Sequence, residues 1–324
     1  DATLLSGSIM LNLDTEDWHE LYVGCAGGGG WEFTRTFSQI ETKVAAERWT
    51  LSLQGLAGGH SGIQIHEQLG NAIKLLGQCL VEVPGLQLAS ASIGVAHNVI
   101  PREGEISFAC AAGAGQQLAE RLADFRDSVL AYLPPADAQL ALQLHPAEFQ
   151  LVLAEEDSQL VLALIAALPH GAQAYSLQQP ADLVDLSINL AQLRLDEGNL
   201  FLESSFRFFN EAQSMPLQQS VLAQAAAFGL AVEPVVGYPG WQPDFDSPLL
   251  ARGCALHEQM FGHAPAVKAI HAGLECGILK SKKPDMDILS FGPTIRGAHS
   301  PGERLQIDTV APFWAFLTAL LAQL

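Results

Sequence analysis

The 324-residue chain is poor in basic side chains: 16 Lys and Arg stand against 35 Asp and Glu, a formal net charge of −19. A field of that sign repels nucleic acid and anionic membranes, which excludes both as partners. Apolar runs are short as well. None reaches the roughly 18 residues of a bilayer-spanning helix. The opening "DATLLSGSIMLNLDTED" has no basic stretch and does not read as a signal peptide. Cysteine is scarce, with Cys25, Cys79, Cys110, Cys254 and Cys276 scattered and no C-x-x-C pair among them. Buried free thiols in a reducing cytoplasm, rather than disulfides, are expected.

What is present is apolar and punctuated, with 49% hydrophobic residues in a chain long enough for two domains. "SGSIMLNLD" reads as a buried strand ending at Asp14, and "LYVGCAGGGG" as a short strand running into four glycines. "TLSLQGL" alternates as a strand, and Ile63, Ile65, Leu69, Ile73 and Leu76 carry helical spacing through "SGIQIHEQLGNAIKLLGQCL". Strands at "LQLASASIGV" and "GEISFACAA" precede an amphipathic helix near 115–132, stopped by Pro134 and Pro135. The pattern then recurs. "SIGVA" at 92 echoes "SINLA" at 187, and "REGEISF" at 102 echoes "DEGNLFL" at 196, which suggests two similar α+β halves. The segment "GYPGWQPDFDSP", 237–248, marks a boundary. Beyond it strand and helix alternate to the end, as in a parallel α/β sheet. The expected architecture is an α/β domain made of residues 1–30 and 239–324. Residues 31–238 are inserted into it as an α+β domain.

Asp14 falls at the carboxyl end of a strand, where open α/β sheets place functional groups. His299 falls in the loop after the strand "MDILSFG" and could share that edge. Asp and His are both good zinc ligands, which must converge in space rather than in sequence. Read from the residues alone, Asp14 is equally a turn former or helix cap, and His299 an ordinary loop histidine.

"LNLDTED", "GGHSGIQIHEQLGNA", "HNVIPRE" and "HAGLECGILKSKKPDMDILSFGPTIRGAHSP" resemble the bacterial aminoacyl-histidine dipeptidases, among the co-catalytic zinc metallopeptidases. The resemblance covers nearly the whole chain. It implies an incomplete zinc-peptidase α/β domain with an inserted lid and dimerisation domain, and Asp14 and His299 as terminal ligands on two different zinc ions. It makes His60 a lid histidine that reaches the partner's active site and polarises the scissile carbonyl. Asn98 would donate to substrate, Arg207 would clamp the dipeptide carboxylate, and Glu275 would meet the substrate amino group. The residues admit plainer readings beside these: a turn cap at His60, a turn former at Asn98, a surface arginine at Arg207 and a capping carboxylate at Glu275. The implied reaction is hydrolysis by a water shared between two zinc ions. The chain departs from the family at His19, where glycine is expected, which changes a turn and not a ligand.

An H-x-D pair, a bridging aspartate and a Glu-Glu pair belong to the family's metal site ahead of Asp14. No H-x-D occurs in the sequence, and the one Glu-Glu, at 155–156, opens a helix in the inserted domain. The expectation is that the chain is the carboxyl-terminal part of a homodimeric, cytoplasmic Xaa-His dipeptidase and is inactive alone. Two other readings stay open: an N-acyl amino acid deacylase of the same family, and a non-catalytic dimerisation or binding protein.

Overall fold

The computed structural model describes residues 5–43, 45–177, 183–297 and 302–324. In chain order the principal elements begin with β1 (Ile9–Asn12), β2 (Glu20–Cys25), β3 (Gly27–Thr36), β4 (Glu47–Gln54), α1 (Ala72–Leu80), β5 (Gln87–Ile93) and β6 (Gly104–Cys110). They continue with α2 (Ala114–Leu130), β7 (Ala141–Pro146), α3 (Glu155–Ala167), β8 (Val184–Asp196), β9 (Asn199–Phe208), α4 (Glu211–Ala227) and β10 (Ala231–Tyr238). Last come α5 (Pro248–Phe261), β11 (Ala266–Ile270), α6 (Glu275–Lys282), β12 (Asp287–Ser290) and α7 (Val310–Leu321). They fall into two units. The first takes the residues up to Gly28, Phe208–Glu211 and those from Tyr238 onward; the second takes Gly29–Arg207 and Ala212–Gly237.

The first unit carries a four-stranded sheet in the order β1-β12-β2-β11. β1 runs parallel to β12, from Ile9 opposite Asp287 to Asn12 opposite Ser290. β11 runs parallel to β2, but β12 meets β2 antiparallel, at Ser290 and Tyr22. The sheet is therefore mixed rather than parallel. Residues 13–19 alone join β1 to β2, and a parallel crossover takes about a dozen. Leu21, Val23, Ile288 and Leu289 pack with Leu250, Leu256, Phe316 and Leu320 of α5 and α7 in one buried cluster. Each such side chain contributes roughly 1.5–3 kcal/mol. Ser247 caps α5 by accepting from Leu250 N at 3.0 Å, Pro248 opens the helix and Gly262 closes it at φ 79°. The Asp287 carboxylate accepts from Ser247 Oγ at 2.7 Å and from Leu249 N at 3.1 Å, so the start of β12 and the start of α5 are one assembly.

The second unit is a duplicated βαββαβ domain. β4, α1, β5, β6, α2 and β7 form one half, and β3, α3, β8, β9, α4 and β10 the other. The sheet order is β7-β4-β6-β5-β8-β9-β3-β10, with Gly171–Tyr175 paired to β8. Each half thus places its fourth strand outermost, then the first, third and second, and the two second strands meet at the centre. The seam pairs Ala91 with Leu195 and Ile93 with Leu193. The sequence echoes at 92 and 187, and at 102 and 196, fall on these corresponding middle strands.

Two local expectations need correction. β1 stops at Asn12, two residues short of Asp14. The four glycines of "CAGGGG" open β3, and a Cβ on Gly30 would sit 2.5 Å from the Ser204 carbonyl oxygen. The helical spacing at 61–80 becomes a helix only from Ala72. Gln68 takes a left-handed φ of 57°, and Asn71 starts the helix by accepting from Ile73 N at 2.9 Å. The five cysteines are free, all buried except the half-buried Cys254.

Lys74 on α1 reaches the end of α3 and donates to the carbonyls of Ile165 at 2.6 Å, Ala166 at 3.0 Å and Leu168. Beside it His170 is pushed down to about 4, by burial first and then by the Lys74 charge. The folded chain refuses a proton that the unfolded chain accepts near the ordinary value of 6.5, so this stability is whole above that pH and is lost as pH falls towards about 4. In urea titrations Lys74→Met is expected to cost about 1.5–3 kcal/mol through its charge-assisted bonds. The His170→Gln variant is expected to lose less stability than the wild type between pH 6.5 and 4.

Candidate functional site

In the first unit, the parallel pairing of β1 and β12 sends both chains off the same edge of the sheet. Asp14 stands there, exposed, two residues past β1. Its position is set by Asn12, a buried residue. The Asn12 Oδ1 accepts from Asp14 N at 3.1 Å and from Ser290 Oγ at 2.6 Å, while its Nδ2 donates to Glu275 Oε1. Glu275 is the first residue of α6, where a carboxylate also meets the positive end of the helix. Behind it Cys276 is pushed up to about 12, by burial first and then by Cys25, Glu275 and Asp14. Burial likewise raises Cys25. Neither thiol is a nucleophile at neutral pH. His299 lies outside the described residues, and so do Ala298, Ser300 and Pro301.

The donor chemistry of Asp14, a free carboxylate on an open rim, suits zinc. Its number does not complete a site, since a catalytic zinc takes about three protein ligands. Among the described residues, three ligating groups approach within 4.8 Å of one another at His19, His257 and His263, and not at Asp14. A metal site at Asp14 would need further donors.

In the second unit three of the expected residues come together. Gly59–His60 pairs with Val99–Ile100 as a two-stranded ribbon, His60 opposite Val99. The Asn98 carbonyl accepts from Ser61 N at 2.8 Å, which sets Asn98 beside the His60 turn. From the main sheet, Asn189 Nδ2 donates to the carbonyls of His97 at 3.1 Å and Val99 at 2.9 Å, and Ser205 Oγ donates to His97 O at 2.8 Å. Arg207 follows Ser205 on β9, and its charge acts on His60.

The His60 ring is oriented by the backbone. Its Nδ1 accepts from Gly62 N and Ile63 N, each at 3.1 Å. That assigns the proton of the neutral ring to Nε2, which is then a donor. Burial, then Arg207, then His97 lower its pKa and keep the ring neutral at pH 7. A neutral imidazole with Nε2–H outward can donate to a carbonyl oxygen. Asp137, fully buried, ties down both ends of the segment: its carboxylate accepts from Ala57 N at 2.8 Å and from Gly70 N at 2.7 Å. Sequence reasoning missed Asn12, Asp137 and Asn189. An Asp two residues after Pro135 reads as a turn former, and nothing local reveals its distant partners.

The fold and these residues define a class: an α/β unit with rim carboxylates, interrupted by a duplicated α+β domain. Residues 51–137 match the peptidase dimerisation domain of the M20 peptidases. The chain is 32% identical over 324 residues to the cytosol non-specific dipeptidase of Escherichia coli (strain K12), covering 99% of this chain and 67% of that protein. It superimposes on the crystal structure of aminoacylhistidine dipeptidase from Vibrio alginolyticus with a TM-score of 0.92 at 34% identity, covering 99% of this chain and 66% of that one. The chain belongs to the M20 peptidases, in the aminoacyl-histidine dipeptidase family. It spans about two thirds of the length of these relatives.

Replacing Asp137 by Ala leaves the buried Gly70 N–H and the part-buried Ala57 N–H without an acceptor, at roughly 1–3 kcal/mol for the buried one. Asp137→Ala is therefore expected to lower the urea midpoint and to speed amide exchange at Gly62 and Ile63. Unchanged exchange there would show that the His60 turn does not depend on Asp137.

Proposed function

We propose that the chain serves metal-dependent hydrolysis of dipeptides, with Xaa-His dipeptides preferred, as a cytoplasmic homodimer joined through residues 31–238. The observation that carries this reading is the gathering of His60, Asn98 and Arg207 around one ribbon, with the His60 ring held as an Nε2–H donor. Match to a peptidase dimerisation domain supports the dimer, and similarity to two dipeptidases supports the reaction class.

The roles follow from the chemistry of each group. Arg207 offers a planar fork to the carboxylate that ends a dipeptide. Asn98 offers an amide to its backbone. His60 donates to the scissile carbonyl oxygen and strengthens that bond as negative charge develops, in the active site of the partner protomer. Glu275, held by Asn12, takes the substrate ammonium group. Zinc, two ions in the complete site, supplies a Lewis acid and a water of lowered pKa. Asp14 and His299 are the residues of this chain that would ligate them, one on each ion.

The test is a panel of Xaa-His dipeptides, other dipeptides and N-acyl amino acids, offered to the zinc-supplemented protein with release of the free amino acid as readout. Calorimetric binding is measured in parallel. Where the full set of metal ligands is present, His60→Ala is expected to lower kcat by about 10²–10³, the usual loss of one oxyanion donor; this chain by itself is expected to bind dipeptides without turnover. Arg207→Lys is expected to weaken dipeptide binding at least tenfold while leaving binding of an amidated dipeptide unchanged. Binding of N-acyl amino acids without binding of dipeptides would replace this reading by a deacylase, and a dimer that binds neither would make it an assembly module.

A further inference from the structure

We infer that His19, His257 and His263 form a second transition-metal site in the first unit, separate in its residues from Asp14 and His299 and suited to a zinc ion. His19 immediately precedes β2, His257 lies on α5, and His263 lies in the turn between α5 and β11. One ligating atom from each falls within 4.8 Å of the others. His19 Nδ1 and His257 Nε2 are 2.9 Å apart. Nitrogen ligands of a tetrahedral zinc at ~2.0–2.1 Å stand about 3.3 Å from one another, so small side-chain rotations would admit the ion.

Two of the rings are already aimed. His257 Nδ1 faces the His263 carbonyl at 3.0 Å, and His263 Nδ1 faces the Ala264 carbonyl at 3.1 Å. An N–H on each Nδ1 makes each Nε2 an acceptor, which is how metal-binding histidines are usually oriented from behind; the His257 Nε2 takes the His19 Nδ1–H at 2.9 Å, a hydrogen bond that an entering ion would replace. Burial and the neighbouring imidazoles lower the pKa of His19, and burial lowers that of His257; neutral rings are the ligating form. Trp18, Phe261 and Phe316 surround them, with Trp18 4.8 Å from the His19 ring and Phe316 5.8 Å from the His257 ring. His257 is buried, His19 half-buried and His263 exposed. The pocket therefore has one open side, through which an ion and a fourth ligand, water, can enter.

The backbone supplies an independent reason. His19 holds a left-handed φ of 73°, a conformation that glycine adopts freely and a side chain does not. The family resemblance expects glycine at this position. A ligand shared by the three rings would offset the cost of a side chain at this position. The reading of His19 as a change in a turn and not in a ligand is thus revised: it changes both.

The test uses the whole chain, stripped of metal and titrated with Zn²⁺ by calorimetry, with Co²⁺ as an optical probe of tetrahedral nitrogen coordination. The wild type is expected to bind one ion that His263→Ala and His19→Gly each weaken at least tenfold, with loss of the intense visible Co²⁺ bands. His19→Gly relieves the turn and His263 is exposed, so both variants are expected to fold. The ion is expected to survive in Asp14→Asn. Absence of binding, equal affinity in wild type and both histidine variants, or loss of the ion in Asp14→Asn alone would each overturn the proposal.

Discussion

Two backbone N–H groups, those of Gly62 and Ile63, decide what His60 can do. By occupying Nδ1 they make the neutral ring a donor at Nε2 and deny it the role of general base through Nδ1. Everything else in that part of the second unit serves to keep the turn where it is. The ribbon with Val99–Ile100 fixes its entry, Asn189 and Ser205 hold the facing strand by its carbonyls, and Asp137 closes the segment at both ends. The turn geometry that a capping histidine would show and the geometry that a carbonyl-polarising histidine needs are the same geometry. The plain reading and the functional one do not compete here; the cap is the means of orientation.

The same economy appears on the rim of the first unit. Asn12 is a neutral residue, yet it joins Asp14, Ser290 and Glu275 through one amide. An amide can accept from two groups and donate to another at once, which a carboxylate cannot. The strand pair that carries Asn12 and Ser290 in register therefore fixes the Asp14 backbone and the Glu275 carboxylate together. His60, Asn98 and Arg207 belong to one unit and Asp14 and Glu275 to the other. The proposed chemistry draws on both sets in a dimer.

Much of this was legible in the amino-acid order. Alternation and helical spacing located the strands and helices, and two short echoes about 95 residues apart exposed the duplicated halves. The strand before Asp14 followed from pattern alone, although it ends at Asn12 rather than at Asp14. The direction of β2 was not legible as such, although the shortness of residues 13–19 dictates it. The helix over 61–80 was overread because apolar spacing persists through a segment whose N–H groups go elsewhere, Gly70 N to Asp137 above all. Asn12 and Asp137 stayed hidden for another reason. Asn12 and Glu275 are 263 positions apart, and Asp137 and Ala57 are 80 apart. Periodicity carries no information across such distances. His19 and His257, 238 positions apart, were hidden in the same way, and only the departure from glycine hinted at them.

The account turns on the protonation state and tautomer of one imidazole. Nitrogen-15 NMR of the histidine-labelled protein at pH 7, with His60 assigned by substitution, reads both directly. The expected spectrum shows a neutral His60 ring with its proton on Nε2 and an acceptor shift at Nδ1. A protonated ring, or a neutral one with its proton on Nδ1, would contradict it.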